Sequence, residues 1–142
     1  MEISIHSVDI EFGLESQEEK SIKQWIASAI KEESHIDKGE ITLIFCSDEY
    51  LLEMNKEYLD HDYFTDIITF SYSKNPLTAD LFISIDRVKD NAAEHSVSFQ
   101  EELRRVIIHG ILHLCGYDDD TPAAQQKMRE TENKYLAILE NP

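Results

Sequence analysis

Two histidines, His109 and His113, lie four residues apart in the segment HGILHLCGYDD. On an α-helix this spacing places both imidazoles on nearly the same face, with Cβ atoms about 6 Å apart. Gly116 follows where such a helix would end, because glycine adopts the left-handed backbone of a helix terminus without steric cost. Six residues span at most about 20 Å, so an acidic side chain from residues 118–120 can return to the two rings. Two nitrogens and one carboxylate oxygen, with a fourth position open, form the ligand set typical of a catalytic metal site.

The helix predicted around these histidines is apolar on nearly all sides. Apolar residues repeat at helical spacing along one stripe and also cover the opposite side: Leu103, Val106, Ile107, Ile108, Ile111, Leu112 and Leu114. Two histidines at this spacing can also arise by chance as an ordinary core or surface pair. An imidazole without a partner is costly in apolar surroundings, however, so the environment favours one metal ion shared by both rings.

The general base of such a site is not given by the usual pattern. The zinc-protease signature places a glutamate directly after its first histidine, whereas this chain has Gly110, so ordinary zinc-peptidase chemistry is disfavoured. Two candidate bases are Glu102, seven residues before His109 on roughly the same helix face, and Asp66, in the polar loop before a predicted strand. Each carboxylate also fits a supporting role, as a hydrogen-bond partner of a metal ligand or as a helix cap.

The composition indicates one acidic domain. The 142 residues suit a single domain, 1–142, that buries its own core. The formal net charge of −16 should make the average surface repel phosphate, which disfavours broad nucleic-acid binding. A local basic strip is still compatible with this charge, although its members are more typical of solvated faces: Arg87, Lys89, Arg104, Arg105, Lys127 and Arg129.

The chain shows no pattern for export or membrane insertion. The opening residues, MEISIHSVDIEF, lack the cationic start and apolar stretch of a signal peptide, and no apolar run approaches the roughly 20 residues that span a bilayer. Cys46 and Cys115 are too few and too widely spaced for a disulfide framework, and we interpret both as small core residues. We therefore expect a cytoplasmic protein.

Hydrophobic periodicity predicts an α+β domain in which about four strands form a mixed sheet packed with helices. Strands are predicted at residues 1–12, 41–46, 67–72 and 79–86, the first at an edge with a bulge or bend, and the last two joined as a hairpin. Helices are predicted to begin near Ser16, Ser47, Arg87, Ser98 and Thr121. The expected buried sides include Trp25, Tyr58, Met128, Tyr135, Ile138 and Leu139. Only four glycines and no glycine-rich loop argue against a nucleotide cofactor.

With these segments in place, the chain resembles the YbeY-type family of metal-dependent endoribonucleases, the ribosomal RNA maturation factors. The resemblance covers most of the chain from about residue 40 onward and is carried by ELRRVIIHGILHLCGYD at 102–118, N-x-x-Y at 55–58, TDIITFSY at 65–72, ADLFIS at 79–84 and MRETE at 128–132. It implies an α+β metallohydrolase fold of the zincin-like type, a zinc ion and cleavage of single-stranded RNA. It also implies a role in maturing the 3′ end of small-subunit ribosomal RNA and in ribosome quality control.

The third metal ligand departs from the usual pattern of that family. The family usually has a histidine where this chain has Asp119, and the family spacing favours Asp119 over Asp118 and Asp120 as the ligand. Carboxylate oxygen also binds zinc, so the site should survive, although the lower effective charge of the ion can change which metal is favoured.

A second departure concerns the binding of phosphate. The family usually has an arginine directly after the tyrosine of N-x-x-Y, and this chain has Leu59, which cannot hold a phosphate or stabilise developing negative charge. Arg104 and Arg105 are candidate substitutes in substrate binding.

The sequence thus predicts a metal-dependent, single-strand-specific endoribonuclease acting on ribosomal RNA, with His109, His113 and Asp119 as metal ligands. Zinc is the expected ion, with another divalent metal as an alternative, and RNA and the small ribosomal subunit or its assembly proteins are the expected partners. Two other functions stay open. One is a ribosome-assembly factor whose metal only braces the fold, which the acidic surface and the missing arginine favour. The other is a metal-dependent hydrolase of a different substrate.

Overall fold

A computed structural model describes residues 1–140 of the chain, so the last two residues of the predicted domain 1–142 lie outside the described part. Its elements are β1 (Glu2–Ser7), α1 (Ser16–Ser34), β2 (Gly39–Cys46), α2 (Asp48–Leu59), β3 (Ile67–Lys74), β4 (Leu77–Ser84), α3 (Ile85–His95), α4 (Phe99–Leu114) and α5 (Pro122–Glu140). The prediction of a mixed α+β domain with a four-stranded sheet is confirmed.

The sheet has the strand order β1-β2-β4-β3. β2 pairs in parallel with β1 and with β4, whereas β3 and β4 form an antiparallel hairpin around the turn at Asn75 and Pro76. The hairpin and the edge position of β1 are therefore as predicted. Because β2 and β4 are parallel, the connection between them must cross over, and it does so through α2, the loop at residues 60–66 and β3.

The two faces of the sheet carry two hydrophobic clusters. The larger lies between the sheet and α1, α4 and α5, and it includes alternate residues of the two central strands, among them Ile41, Leu43, Phe45, Leu81 and Ile83. The smaller lies beneath α2 and is formed by Cys46, Leu51 and Ile68. The helix that carries the two histidines is therefore packed in the larger core.

Several boundaries and burials differ from the prediction. β1 ends at Ser7 instead of residue 12, because Asp9 adopts a left-handed backbone and its carboxylate accepts hydrogen bonds from the backbone N and the hydroxyl of Ser47. Ser16 does not cap α1, since Glu15 is the N-cap residue and makes no side-chain capping bond. Tyr58 and Ile138, predicted as buried, are exposed, whereas Trp25, Met128 and Tyr135 are buried as predicted.

Three other helix starts are confirmed by their capping hydrogen bonds. The hydroxyls of Ser47 and Ser98 accept from the backbone N three residues ahead, at Tyr50 and Glu101. Thr121 does the same for Ala124, with proline at the first helical position of α5.

The two cysteines are free thiols packed in the fold. Burial raises the pKa of Cys46 to about 12 and that of Cys115 to about 11, so both remain protonated near neutral pH. Their interpretation as core residues holds for Cys46, which is fully buried, and in part for Cys115. Among residues 1–140, every helix is too short or too polar to cross a membrane.

Candidate metal centre

The helix α4 positions the two histidines on its flank at the edge of the core. The chain leaves the helix after Leu114, where the backbone N of Cys115 still bonds to carbonyls of the last turn, and Gly116 then adopts a positive φ of 101°. The backbone N of Tyr117 bonds to the carbonyl of Leu112, so the chain folds back against the helix end. This reversal brings Asp119 to the two rings, as the spacing predicts.

The three ligand atoms form a nearly equilateral triangle. The two Nε2 atoms of His109 and His113 are 3.0 Å apart. Oδ2 of Asp119 lies 3.4 Å from Nε2 of His109 and 3.5 Å from Nε2 of His113. Two ligands of a tetrahedral zinc ion, each about 2.0–2.1 Å from the metal, are themselves about 3.3–3.4 Å apart. The three donor atoms therefore fit a divalent ion of this kind.

The tautomer of His113 is fixed by the main chain. Its Nδ1 lies 2.8 Å from the carbonyl oxygen of Tyr117, which can only accept a hydrogen bond. Nδ1 must therefore carry the proton and donate it, which leaves the lone pair of Nε2 facing His109 and Asp119. A metal ligand needs that lone pair.

The outer nitrogen of His109 is held by Glu132 from α5. Nδ1 of His109 lies 2.7 Å from Oε2 of Glu132, a residue that is only 3% exposed. The other carboxylate oxygen accepts from Nη1 of Arg105 at 2.9 Å, and Arg129 lies 3.9 Å from it. Burial lowers the pKa of His109, but its hydrogen bond to Glu132 and the charges of Glu132, Asp119 and Asp66 outweigh burial and raise that pKa. A proton and a metal ion compete for Nε2 of this ring, so metal binding here should weaken as the pH falls.

Two cavities flank the metal centre, and both are lined by Asp66, His109 and Asp119. The first, about 270 Å³ in volume, extends towards α3 and α5, and the residues that line it include Asn91, His95, Arg105 and Arg129. The second, about 410 Å³, extends under the loop that follows α2 and also contains His113. The candidate metal centre therefore opens onto two cavities.

The two candidate bases differ in their position. Asp66 lies directly before β3, where it lines both cavities, and Nδ2 of Asn91 donates to its carboxylate at 3.4 Å. Burial raises the pKa of Asp66, although the nearby His109 opposes this effect. Glu102 is buried, lines only the first cavity, and lies 3.4 Å from Nδ1 of His95.

The two candidate arginines also differ. Arg105 lines the first cavity, but its guanidinium is bound to Glu132 and to Asn133. Arg104 lies outside both cavities and faces Glu18 of α1 at 3.8 Å. Leu59, at the place of the usual arginine, is exposed on the wall of the second cavity.

Sequence reasoning missed Glu132 as a supporting residue. The helical stripe of Met128, Tyr135 and Leu136 is buried, and Glu132 lies on the same side of α5. A carboxylate at a buried helical position needs a polar or charged partner. The helical spacing of Glu132 with the apolar residues of α5 could therefore have indicated that Glu132 contacts such a partner. Asn91 and His95, which line the first cavity from α3, gave no comparable signal.

Two imidazoles and a carboxylate, set beside open cavities on an α+β domain, define a protein of the metallohydrolase class. A family model described as "Endoribonuclease YbeY" matches residues 2–140. The chain belongs to this family, and the resemblance found in the sequence is confirmed.

Similar proteins support this assignment over nearly the full chain. The chain is 48% identical over 140 residues to the Endoribonuclease YbeY of Parabacteroides distasonis, which covers 98% of this chain and 96% of that protein. It is 53% identical over 117 residues to that of Bacteroides fragilis, with 81% and 83% covered. The solution structure of TM1509 from Thermotoga maritima has a TM-score of 0.66 at 28% identity, with 94% of this chain and 86% of that chain covered.

Proposed function

We propose that this chain is a metal-dependent endoribonuclease that cleaves single-stranded RNA, with zinc held by His109, His113 and Asp119. The observation that carries the proposal is the convergence of the three ligand atoms between two cavities, in a chain whose relatives are named Endoribonuclease YbeY. When bound, the ion would polarise a phosphoryl oxygen and lower the pKa of water.

The side chains around the ligands supply binding and proton transfer. Asp66 is the proposed general base, because it lines both cavities beside His109, whereas Glu102 is tied to His95 and lines only one. Glu132 and the carbonyl of Tyr117 hold the two imidazoles in the orientation that a metal requires.

Phosphate binding must use a different cation from the family's usual arginine. Arg105 lines the first cavity, but its guanidinium is paired with Glu132. Arg129 lines the same cavity, lies close to Glu132 as well, and has a largely exposed side chain. We assign the phosphate on this side of the site to these two arginines, since guanidinium groups pair well with phosphate oxygens. Arg104 does not reach either cavity and is left out of the assignment.

The biological part of the proposal follows from the family resemblance. Ribosomal RNA is the proposed substrate, and maturation of the 3′ end of small-subunit ribosomal RNA and ribosome quality control are the proposed roles. The small ribosomal subunit or its assembly proteins are the proposed partners, and the cytoplasm is the proposed location. A factor without nuclease activity and a hydrolase of another substrate are less well supported, because both similar bacterial proteins named above are called endoribonucleases.

Cleavage of a short single-stranded RNA by the purified, zinc-loaded protein tests the proposal. The wild type should cleave this RNA, and the His113→Ala protein should not, at equal folding by circular dichroism. A double-stranded RNA of the same sequence should resist cleavage. Equal rates for wild type and His113→Ala would assign the activity to a contaminant and favour the assembly factor instead.

A further inference from the structure

The second cavity beside the metal centre has an aromatic rim. Its wall includes His61 and Tyr63, from the loop between α2 and β3, and all three ligands line the same cavity. We propose that His61 and Tyr63 form a stacking platform for one unpaired nucleobase of the RNA next to the cleaved bond. This inference rests on the proposed function and names how the enzyme binds its substrate.

The two rings are arranged in advance as a stack. Their centroids are 5.1 Å apart and their planes differ by 20°. The hydroxyl of Tyr63 lies 3.0 Å from Nδ1 of His61, which fixes the two rings relative to each other. Tyr63 is nevertheless 56% exposed. An exposed, oriented aromatic ring can bind the face of any base, because every base has a π-face.

The loop that carries the rings is fastened to the fold by one buried residue. Asn55 in α2 is 1% exposed, and its Nδ2 donates to the carbonyl of Tyr63 at 2.9 Å. The backbone carbonyl of Asn55 accepts from the backbone N of His61 at 3.0 Å. Both platform residues are thus hydrogen-bonded to Asn55. Because the loop is already held in place, little conformational entropy should be lost when a base binds.

The chemistry of this cavity favours a base over a phosphate. Within residues 1–140, the residues that line it include no lysine or arginine, and Leu59 takes the place of the family's usual cation. Apart from the three residues proposed to hold the ion, Asp66 adds a carboxylate to this wall, and the net charge of the chain is −16. Binding on this side therefore has no cationic side chain to rely on, whereas the exposed rings of His61 and Tyr63 are available for stacking. The volume of about 410 Å³ lies in the range of small-molecule sites, about 300–1,000 Å³.

Stacking here also explains a preference for single strands. A base inside a duplex has both faces covered by its neighbours, whereas an unpaired base can be splayed out and placed on an aromatic side chain. A ring next to the three ligands would hold such a base while the adjoining phosphate lies at the metal centre.

Abasic RNA provides a direct test. A short single-stranded RNA is made with the base removed at each position in turn, and kcat/KM is measured for wild type, Tyr63→Ala, Tyr63→Phe and Tyr72→Ala. Tyr72 in β3 is a matched control, because it is 63% exposed and lies outside both cavities at the metal centre. Equal metal content and circular dichroism establish that the variants are folded.

Loss of the stacked base should cost the wild type about tenfold to a hundredfold in kcat/KM at one position beside the cleaved bond. Tyr63→Ala should lose as much on intact RNA and lose nothing further when that base is removed, because both changes delete the same contact. Tyr72→Ala should behave as wild type, and Tyr63→Phe, which keeps the ring but loses its bond to His61, should keep most of the wild-type kcat/KM and the full effect of removing the base. A Tyr63→Ala protein with the wild-type kcat/KM, or one that keeps the full abasic effect, overturns the platform.

A binding measurement separates this proposal from the proposed function. RNA carrying 2-aminopurine at the same position should lose fluorescence on binding to wild type and much less on binding to Tyr63→Ala. Quenching by wild type without any cleavage would overturn the nuclease proposal and support the platform. Cleavage by wild type together with equal quenching by wild type and Tyr63→Ala would support the nuclease proposal and overturn the platform.

Discussion

Asp119 stands where the family resemblance implies a histidine ligand, and its carboxylate lies beside the two imidazoles. Its Oδ2 lies within 3.5 Å of both Nε2 atoms, while the side chain is the most exposed of the three. A carboxylate ligand carries a negative charge, whereas a neutral imidazole carries none. The ion together with its three ligands should therefore have a lower net positive charge here than in a site of three histidines.

The Asp119→Ala variant should lose its metal. Two imidazoles alone leave the ion held at two points, and we expect the affinity to fall by more than about 100-fold, beyond the 10- to 100-fold effect of removing a supporting residue. Zinc content after purification without added metal, and competition with a chelator, measure this change. Asp120→Ala, one residue further along the exposed loop, is the control and should keep its metal. Full zinc content in Asp119→Ala would contradict the ligand assignment.

Glu132 is hydrogen-bonded to His109, so its replacement should have an intermediate effect on the affinity for metal. The Glu132→Gln variant keeps the shape of the side chain but loses the charge that raises the pKa of His109. We expect the zinc affinity to fall by about 10- to 100-fold, measured by chelator competition, with little loss of secondary structure. Glu130→Gln, an exposed position on the same helix, should leave the affinity unchanged. An unchanged affinity in both variants would show that Glu132 has no part in orienting His109.

At the scale of residues, the sequence predicted the convergence of the three candidate ligands but missed the side chains that contact them from other helices. His109, His113 and Asp119 lie within one short segment, so helical spacing and chain reach were enough to bring them together. Glu132 comes from another helix, and its approach to His109 depends on how α5 packs against α4. Arg105 shows the same limit, because its pairing with Glu132 was not visible from the helix that carries it.

At the scale of elements, Gly110 determines how closely α4 approaches the sheet. A Cβ atom at this position would lie 2.6 Å from Cδ1 of Ile67 and 2.8 Å from Cδ2 of Leu81. The missing side chain lets the helix rest on β3 and β4, and it thereby brings His109 next to Asp66, the residue before Ile67. The same contact explains why the glutamate of the zinc-protease signature has no room here.

The Gly110→Glu variant should therefore unfold more easily without gaining peptidase activity. Overpacking costs about 1–3 kcal/mol and an unpaired buried carboxyl adds to this, so we expect a loss of more than about 3 kcal/mol in the free energy of unfolding. Urea denaturation measures the loss. Gly13→Glu is the control, since a Cβ at Gly13 meets no atom within 4 Å. Equal unfolding midpoints for the two variants would contradict the close packing of α4.

The order of the elements was predictable, whereas some of their ends and faces were not. Capping serines and a hairpin turn are local signals, so the starts of α2 and α4 and the pairing of β3 with β4 followed from the sequence. The end of β1 depends on a bond between Asp9 and Ser47, residues far apart in the chain. Tyr58 was placed inward by helical spacing, but α2 covers only one small cluster and leaves that ring exposed.

At the scale of the whole molecule, an acidic protein is proposed to act on an acidic polymer. The formal net charge of −16 repels RNA at long range, which slows encounter at low ionic strength. The first cavity offers Arg105 and Arg129 for phosphate contacts, and the second offers aromatic rings and no lysine or arginine among the residues described. Affinity should therefore depend more on stacking than on the release of counterions.

The dependence of cleavage on salt concentration tests whether stacking contributes more to RNA affinity than phosphate contacts do. For single strands the slope of log affinity against log salt is about −0.7 per neutralised phosphate, so contacts from two arginines predict a slope of about −1.4 or shallower. The measurement is kcat/KM for single-stranded RNA over a series of salt concentrations. Arg129→Ala should flatten the slope by about 0.7, whereas Arg104→Ala, outside both cavities, should leave it unchanged. A slope steeper than about −3 would require more than four phosphate contacts, and the RNA would then bind along a basic surface away from the two cavities.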